Sequence, residues 1–192
     1  MCRTVVIMKR TLVVLSALVL VGCAGGGNSA DNNSGDPATF NNADLQFVQQ
    51  MIPHHQQAIQ MADMVSPDEV LPTTAALAGE IRDAQAPEIA EMRALLGEWG
   101  EKEDQHATHN MNDHSMHGMM TDEDFEALGS TTGVEFDRMW LEMMIEHHEG
   151  AIAMSEKALA DGKHPRVREL AETIIAVQRE EILRMKTLLG SL

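Results

Sequence analysis

Met51-Ile52-Pro53-His54-His55-Gln56-Gln57-Ala58-Ile59-Gln60-Met61 returns 93 residues later as Met144-Ile145-Glu146-His147-His148-Glu149-Gly150-Ala151-Ile152-Ala153-Met154. Both copies follow M-I-x-H-H-x-x-A-I-x-M. Adjacent histidines inside an apolar helical pattern are unusual, because burying imidazole without a partner is costly. The same offset holds far beyond the motif. Asp44 to Gly97 aligns with Asp137 to Gly190 without a gap, with 20 identities in 54 positions. They include Asp44/Asp137, Pro72/Pro165, Gln85/Gln178, Glu88/Glu181 and Met92/Met185. Self-similarity at a fixed offset indicates an internal duplication, which sets the architecture.

Each unit reads as two helices. Leu45, Val48, Ile52, Ile59 and Ala62 recur at helical spacing, which predicts a helix from about Asn42 to Val65. Ser66-Pro67-Asp68 breaks it, and a second helix runs from about Thr73 to Trp99. The repeat predicts a helix from about Val134 to Leu159, with Thr132 and Glu135 spaced as a capping box. A last helix starts at Pro165 and ends near Gly190. Pro53 and Pro87 fall inside the first two helices and predict kinks there. Two amphipathic hairpins, neither able to bury its apolar face alone, are expected to pair as an all-α, ferritin-like four-helix bundle. The boundaries are a hairpin at 40–100, a connecting loop at 101–121 and a second hairpin at 122–192, in one domain.

On the first helix Phe47, Met51, His54, Ala58 and Met61 form one stripe, while His55 joins the stripe of Leu45, Val48, Ile52 and Ile59. Successive residues differ by about 100° on a helix, so both imidazoles are expected at the edges of one broad apolar face. Trp140, Met144, His147, Ala151 and Met154 repeat the first stripe, and His148 sits in the second. Each half thus offers two imidazoles and two thioethers: Met51, His54, His55 and Met61, then Met144, His147, His148 and Met154. Imidazole suits several transition metals, whereas thioether selects soft ions, chiefly Cu(I) and by extension Ag(I). The competing reading is that methionines at helical spacing simply fill a core.

The connecting loop carries a second concentration of the same donors. It holds His106, His109, Met111, His114, Met116, His117, Met119 and Met120, but no leucine, isoleucine, valine or aromatic residue between Glu101 and Thr121. Such a stretch has little reason to be core and matches a loose thioether–imidazole chelator. Thr121 to Asp124 is expected to cap a short helix through Leu128.

The start of the chain reads as an export signal. Arg3, Lys9 and Arg10 precede an apolar run from Leu12 to Val21 that is too short to span a bilayer. Leu20-Val21-Gly22-Cys23 resembles a bacterial lipobox, which implies a signal peptide at 1–22 and a lipid on Cys23. Residues 23–39, rich in Gly, Asn and Ser, read as a flexible tether. Removing residues 1–22 takes away three basic residues and no acidic one, so the formal charge falls from −16 to −19. An acidic surface of that size repels nucleic acid and concentrates cations. With Cys23 the sole mature cysteine, no disulfide framework forms.

Taken together, these residues resemble the CopM-like secreted proteins, catalogued as domain of unknown function 305, whose hallmark is M-x-x-H-H-x-x-A-I-x-M. The resemblance covers about Phe40 to Leu192, and both copies of the motif match. It implies a helical bundle outside the cytoplasm that binds copper or silver in metal tolerance. The positions that carry over are Met51, His54, His55 and Met61, with Met144, His147, His148 and Met154. The expected function is membrane-tethered binding of Cu(I), with Cu(II) or Ag(I) as further ions, for buffering or transfer to a copper-handling protein. Two alternatives remain open. A ferritin-like di-metal oxidase would need Glu-x-x-His pairs on two helices, and the one such spacing is Glu103 to His106 in the loop. A surface lipoprotein could instead bind a protein partner, its histidines serving only as hydrogen-bonded core.

Overall fold

The computed structural model describes residues 39–103 and 118–192. Within them the chain is all-helical, with five helices and no strand: α1 (Asn42–Asp63), α2 (Pro72–Trp99), α3 (Asp122–Gly129), α4 (Gly133–Asp161) and α5 (Pro165–Leu189). The boundaries follow the sequence signals closely. Pro72 and Pro165 occupy the first turns of α2 and α5, where a missing N–H costs nothing. Thr121 and Asp124 form the capping box expected for α3, and Asn41 with Asp44 forms another at α1. Pro53 and Pro87 lie inside α1 and α2, and both helices continue through them.

The capping box expected at Thr132 and Glu135 does not form, since the Thr132 side chain makes no capping hydrogen bond. Gly133 begins α4 at a φ of 62°, which turns the first peptide away from helical geometry. The hydroxyl is therefore not aimed at the first-turn amides.

α1 packs along α2, α4 along α5, α1 along α4, and α3 against α4. Contacts between α1 and α4 run in opposite senses. Asn41 reaches Asp161, the rings of His54 and His147 meet, and the Trp140 indole Nε1 donates to the Met61 carbonyl at 2.9 Å. Within each hairpin the order is also reversed: His55 meets Glu88 and Ala62 meets Arg82, while His148 meets Glu181 and Glu156 meets Arg179. Surface ion pairs from Arg184 to Glu80 and from Arg166 to Glu91 and Glu98 join α2 to α5. They are exposed, so each contributes little.

Two carboxylates fasten the hairpins to each other. Asp44, on α1, is fully buried and accepts the backbone N–H groups of Lys163 and His164 at the start of α5. Its counterpart Asp137, on α4, accepts the N–H of Leu71 at the start of α2. Neither α2 nor α5 is capped by its own N-cap side chain, so each borrows a carboxylate from the other hairpin. Gly162 permits this approach, because a β-carbon there would collide with the Asp44 carboxylate.

The apolar interior falls into two clusters, and all four long helices contribute to both. On α1 one cluster takes Phe47 to Ile52 and the other Ala58 to Ala62. Among the described residues no helix is long and apolar enough to cross a membrane.

Candidate metal centre

Between the two apolar clusters each long helix contributes polar residues. α1 supplies His54 and His55, α2 Gln85 and Glu88, α4 His147 and His148, and α5 Gln178 and Glu181. Each residue on α1 and α2 has its counterpart 93 positions later on α4 and α5. This is a polar layer inside a helical core. The four histidines are at most 1% exposed, and Gln85 and Gln178 are 2% exposed. The imidazoles of both doublets therefore lie on the buried faces of α1 and α4. Packing of α1 on α4, with Ala58 and Ala151 both fully buried, closes over them.

The four imidazoles divide into two kinds. His54 and His147 leave their own hairpins and meet between α1 and α4, with ring centroids 3.8 Å apart and planes tilted by 41°. His55 and His148 turn back into their hairpins. His55 Nε2 lies 2.6 Å from Glu88 Oε2, and His148 Nε2 lies 2.8 Å from Glu181 Oε2. The doublet thus serves two directions, as expected for residues about 100° apart on a helix.

Many polar atoms of this layer lack partners. Nδ1 of His55, Nδ1 of His148, both amide atoms of Gln85 and Oε1 of Gln178 have no hydrogen-bond partner, and His147 has nothing beyond a weak interaction with the His54 backbone. Buried polar atoms are normally satisfied, so a concentration of orphans in one layer singles it out as the candidate site. Burial drives the His147 pKa well below its ordinary value, and the neighbouring His54, His148 and His55 push it the same way. The nearby His54 backbone opposes this weakly. His147 therefore presents a neutral ring with one nitrogen lone pair, the form that binds a metal.

The thioethers are fully buried or nearly so, and they regroup across the halves. Met51 and Met154 share one apolar cluster with Met92, and Met61 and Met144 share the other with Met185. The sequence pattern assigned each pair to one helix, but antiparallel packing of α1 on α4 mixes them. Met92 and Met185 were missed as candidates. Gln85, Glu88 and their counterparts were missed too, although their identity across the two halves was visible.

Met120, expected in an exposed chelating loop, is instead core, at 5% exposure. Gln57 holds its backbone from both sides, accepting from Met120 N–H at 2.7 Å and donating to its carbonyl at 2.8 Å. Met119 is half-buried. His109, Met111, His114, Met116 and His117 lie outside the described residues, as do His106 and Cys23. Among the described residues no three His, Cys, Asp or Glu side chains converge as a metal cage. Any ion in this layer would need thioether or amide donors beside imidazole.

Residues 44–189 match the model of a protein family described as Domain of unknown function (DUF305). The chain belongs to this family. It is similar to a DUF305 fragment from Deinococcus radiodurans, at 32% identity and a TM-score of 0.68, over 79% of this chain and 98% of that one. A DUF305 protein from Streptomyces coelicolor, described as secreted, shares 29% identity at a TM-score of 0.70, over 78% and 93% of the two chains. CopM in its Cu(I)-bound form shares 29% identity at a TM-score of 0.64, over 77% and 96%. CopM has also been solved with Cu(II) and with silver. No curated protein matches the chain.

Proposed function

We propose that this protein binds soft metal ions, Cu(I) foremost and Ag(I) and Cu(II) besides, outside the cytoplasm. In this reading the four long helices form a duplicated four-helix bundle, and a lipid on Cys23 tethers it to the membrane. Its role is to buffer copper or pass it on. One observation carries the reading: a buried layer with four imidazoles and unsatisfied nitrogens, flanked by clusters rich in methionine. Imidazole with thioether is the donor set soft ions select. The similarity to CopM, which is known with Cu(I), Cu(II) and silver bound, supports the same chemistry here. The proposed donors are Met51, His54, His55, Met61, Met144, His147, His148 and Met154, and the burial of Met92, Met185 and Met120 in the flanking clusters supports counting them with these. The residues His109, Met111, His114, Met116, His117 and Met119 provide a looser second set.

Anaerobic titration against a chromophoric Cu(I) chelator tests this. Replacing His54, His55, His147 and His148 by alanine should abolish the tight phase and leave at most weak binding. Unchanged affinity in that variant would remove the layer as the site.

A further inference from the structure

We propose that Glu88 and Glu181 are positioning residues that make Nδ1 of His55 and of His148 the donor atoms, each for one monovalent soft ion. This rests on the metal-binding reading above and names the atoms and the charge of the ion that the layer takes.

The argument begins with the two ring nitrogens. In both hairpins Nε2 is engaged by a carboxylate, at 2.6 Å for His55 and 2.8 Å for His148. In both, Nδ1 is buried and has no hydrogen-bond partner. A carboxylate is an acceptor, so Nε2 carries the proton and donates it. Nδ1 then holds a lone pair. The opposite assignment would leave a buried N–H without an acceptor, which is rarer in proteins than an under-used acceptor. Metal-bound histidines usually donate their second ring N–H to a carboxylate or carbonyl, which fixes the tautomer and raises the basicity of the ligating nitrogen. The same arrangement occurs twice, at positions 93 residues apart, in two different helix pairs.

Charge completes the case. The Glu88 and Glu181 side chains are only 16% and 9% exposed, so their charges are poorly screened by solvent. An ion held by imidazole and thioether keeps its full charge, because those ligands are neutral. One carboxylate per hairpin, one hydrogen bond away, offsets a single positive charge. The layer therefore matches two monovalent ions, one per His–Glu pair.

The test uses the full chain with 15N-labelled histidine rings and Ag(I) alone as probe, which avoids copper redox chemistry. Without metal, His55 and His148 should show protonated Nε2 and bare Nδ1. Two equivalents of Ag(I) should shift both Nδ1 signals while Nε2 keeps its proton. Glu88→Gln and Glu181→Gln preserve size but remove the charge, and each should mix the tautomers and weaken one Ag(I) equivalent by about 10–100-fold. Silver signals on Nε2, or only on His54 and His147, would overturn this inference and leave the metal-binding reading standing. So would Gln variants of unchanged affinity and tautomer. No silver signal on any histidine would overturn both. Should the Gln variants fail to fold, the spectra of the unaltered protein decide alone.

Discussion

His54 and His147 are both counterparts and neighbours: they hold the same place in two matching motifs 93 positions apart, and their ring centroids lie 3.8 Å apart between α1 and α4. Antiparallel packing brings only the midpoint of α1 against its matching position on α4, since positions on either side pair with non-matching residues. Met61 thus meets Trp140, not Met154. The contact between the halves is consequently a pair of like groups, and a proton on one ring disfavours a proton on the other.

That pairing gives the fold a pH dependence. The His147 pKa is lowered in the folded chain by burial and by the other three imidazoles. Unfolded, the same residue titrates near about 6.5. The unfolded state therefore binds more protons as pH falls, and stability is full above that value and lost progressively below it. Urea midpoints of the metal-free protein should fall between about pH 6.5 and pH 5. His147→Asn, which cannot take up a proton there, should flatten that decline. An equally steep decline in the variant would assign it to other groups.

The same burial predicts a conflict between stability and binding. The His147 ring has at most a weak contact with the His54 backbone and leaves at least one nitrogen unsatisfied, and an unsatisfied buried polar group costs about 1–3 kcal/mol. His147→Leu should accordingly stabilise the metal-free protein by about 1–2 kcal/mol. It should also weaken the response to metal. A ligand at a hundred times its Kd stabilises by about 2.7 kcal/mol, so Ag(I) should raise the melting temperature of the native protein well above that of the variant. A destabilised variant that retains the full silver shift would contradict the assignment.

The helices and their order were legible because each is announced by period, proline and cap: Pro72 and Pro165 open α2 and α5, and Thr121 opens α3. The histidines and motif methionines were legible for their chemistry. What they meet was not, because side-chain partners depend on how helices pack. Glu88 and Glu181 read as ordinary charges on amphipathic helices until α2 and α5 bring them to His55 and His148. Met120 looked exposed because its segment lacks aliphatic neighbours, whereas its burial depends on the amide of Gln57, 63 residues earlier. The Thr132 box failed because the pattern does not record the φ of Gly133.

Asp44 and Asp137 offer a graded test of how the hairpins are joined. Asp44 accepts from Asn41, Lys163 and His164, but Asp137 accepts only from Leu71 among the described backbone groups. A hydrogen bond to a charged group contributes about 1.5–3 kcal/mol. Asp44→Ala should therefore cost about 3 kcal/mol or more and Asp137→Ala about 1–2 kcal/mol, measured by urea unfolding. The two residues are equivalent in sequence, so equal losses would mean that the count of backbone donors does not set the cost.

Gly118 controls whether Met120 stays in the core. Its φ of 72° lies in the left-handed region, and a β-carbon there would overlap the Glu146 carbonyl oxygen, one residue before His147. Gly118→Ala must push the chain off α4, which strains the two bonds from Gln57 that hold the Met120 backbone. The strain at such a position is about 1–3 kcal/mol, and it falls on the return of the loop more than on the four long helices. The expected result is a modest loss of overall stability with a selective change at Met120. At 5% exposure its thioether should resist hydrogen peroxide in the native protein, and in the variant it should form sulfoxide several-fold faster by peptide mass analysis. Met51 and Met61, fully buried between α1 and its neighbours, should react no faster than before. Uniform acceleration at all three would indicate global loosening and defeat the assignment of Gly118 to this one contact.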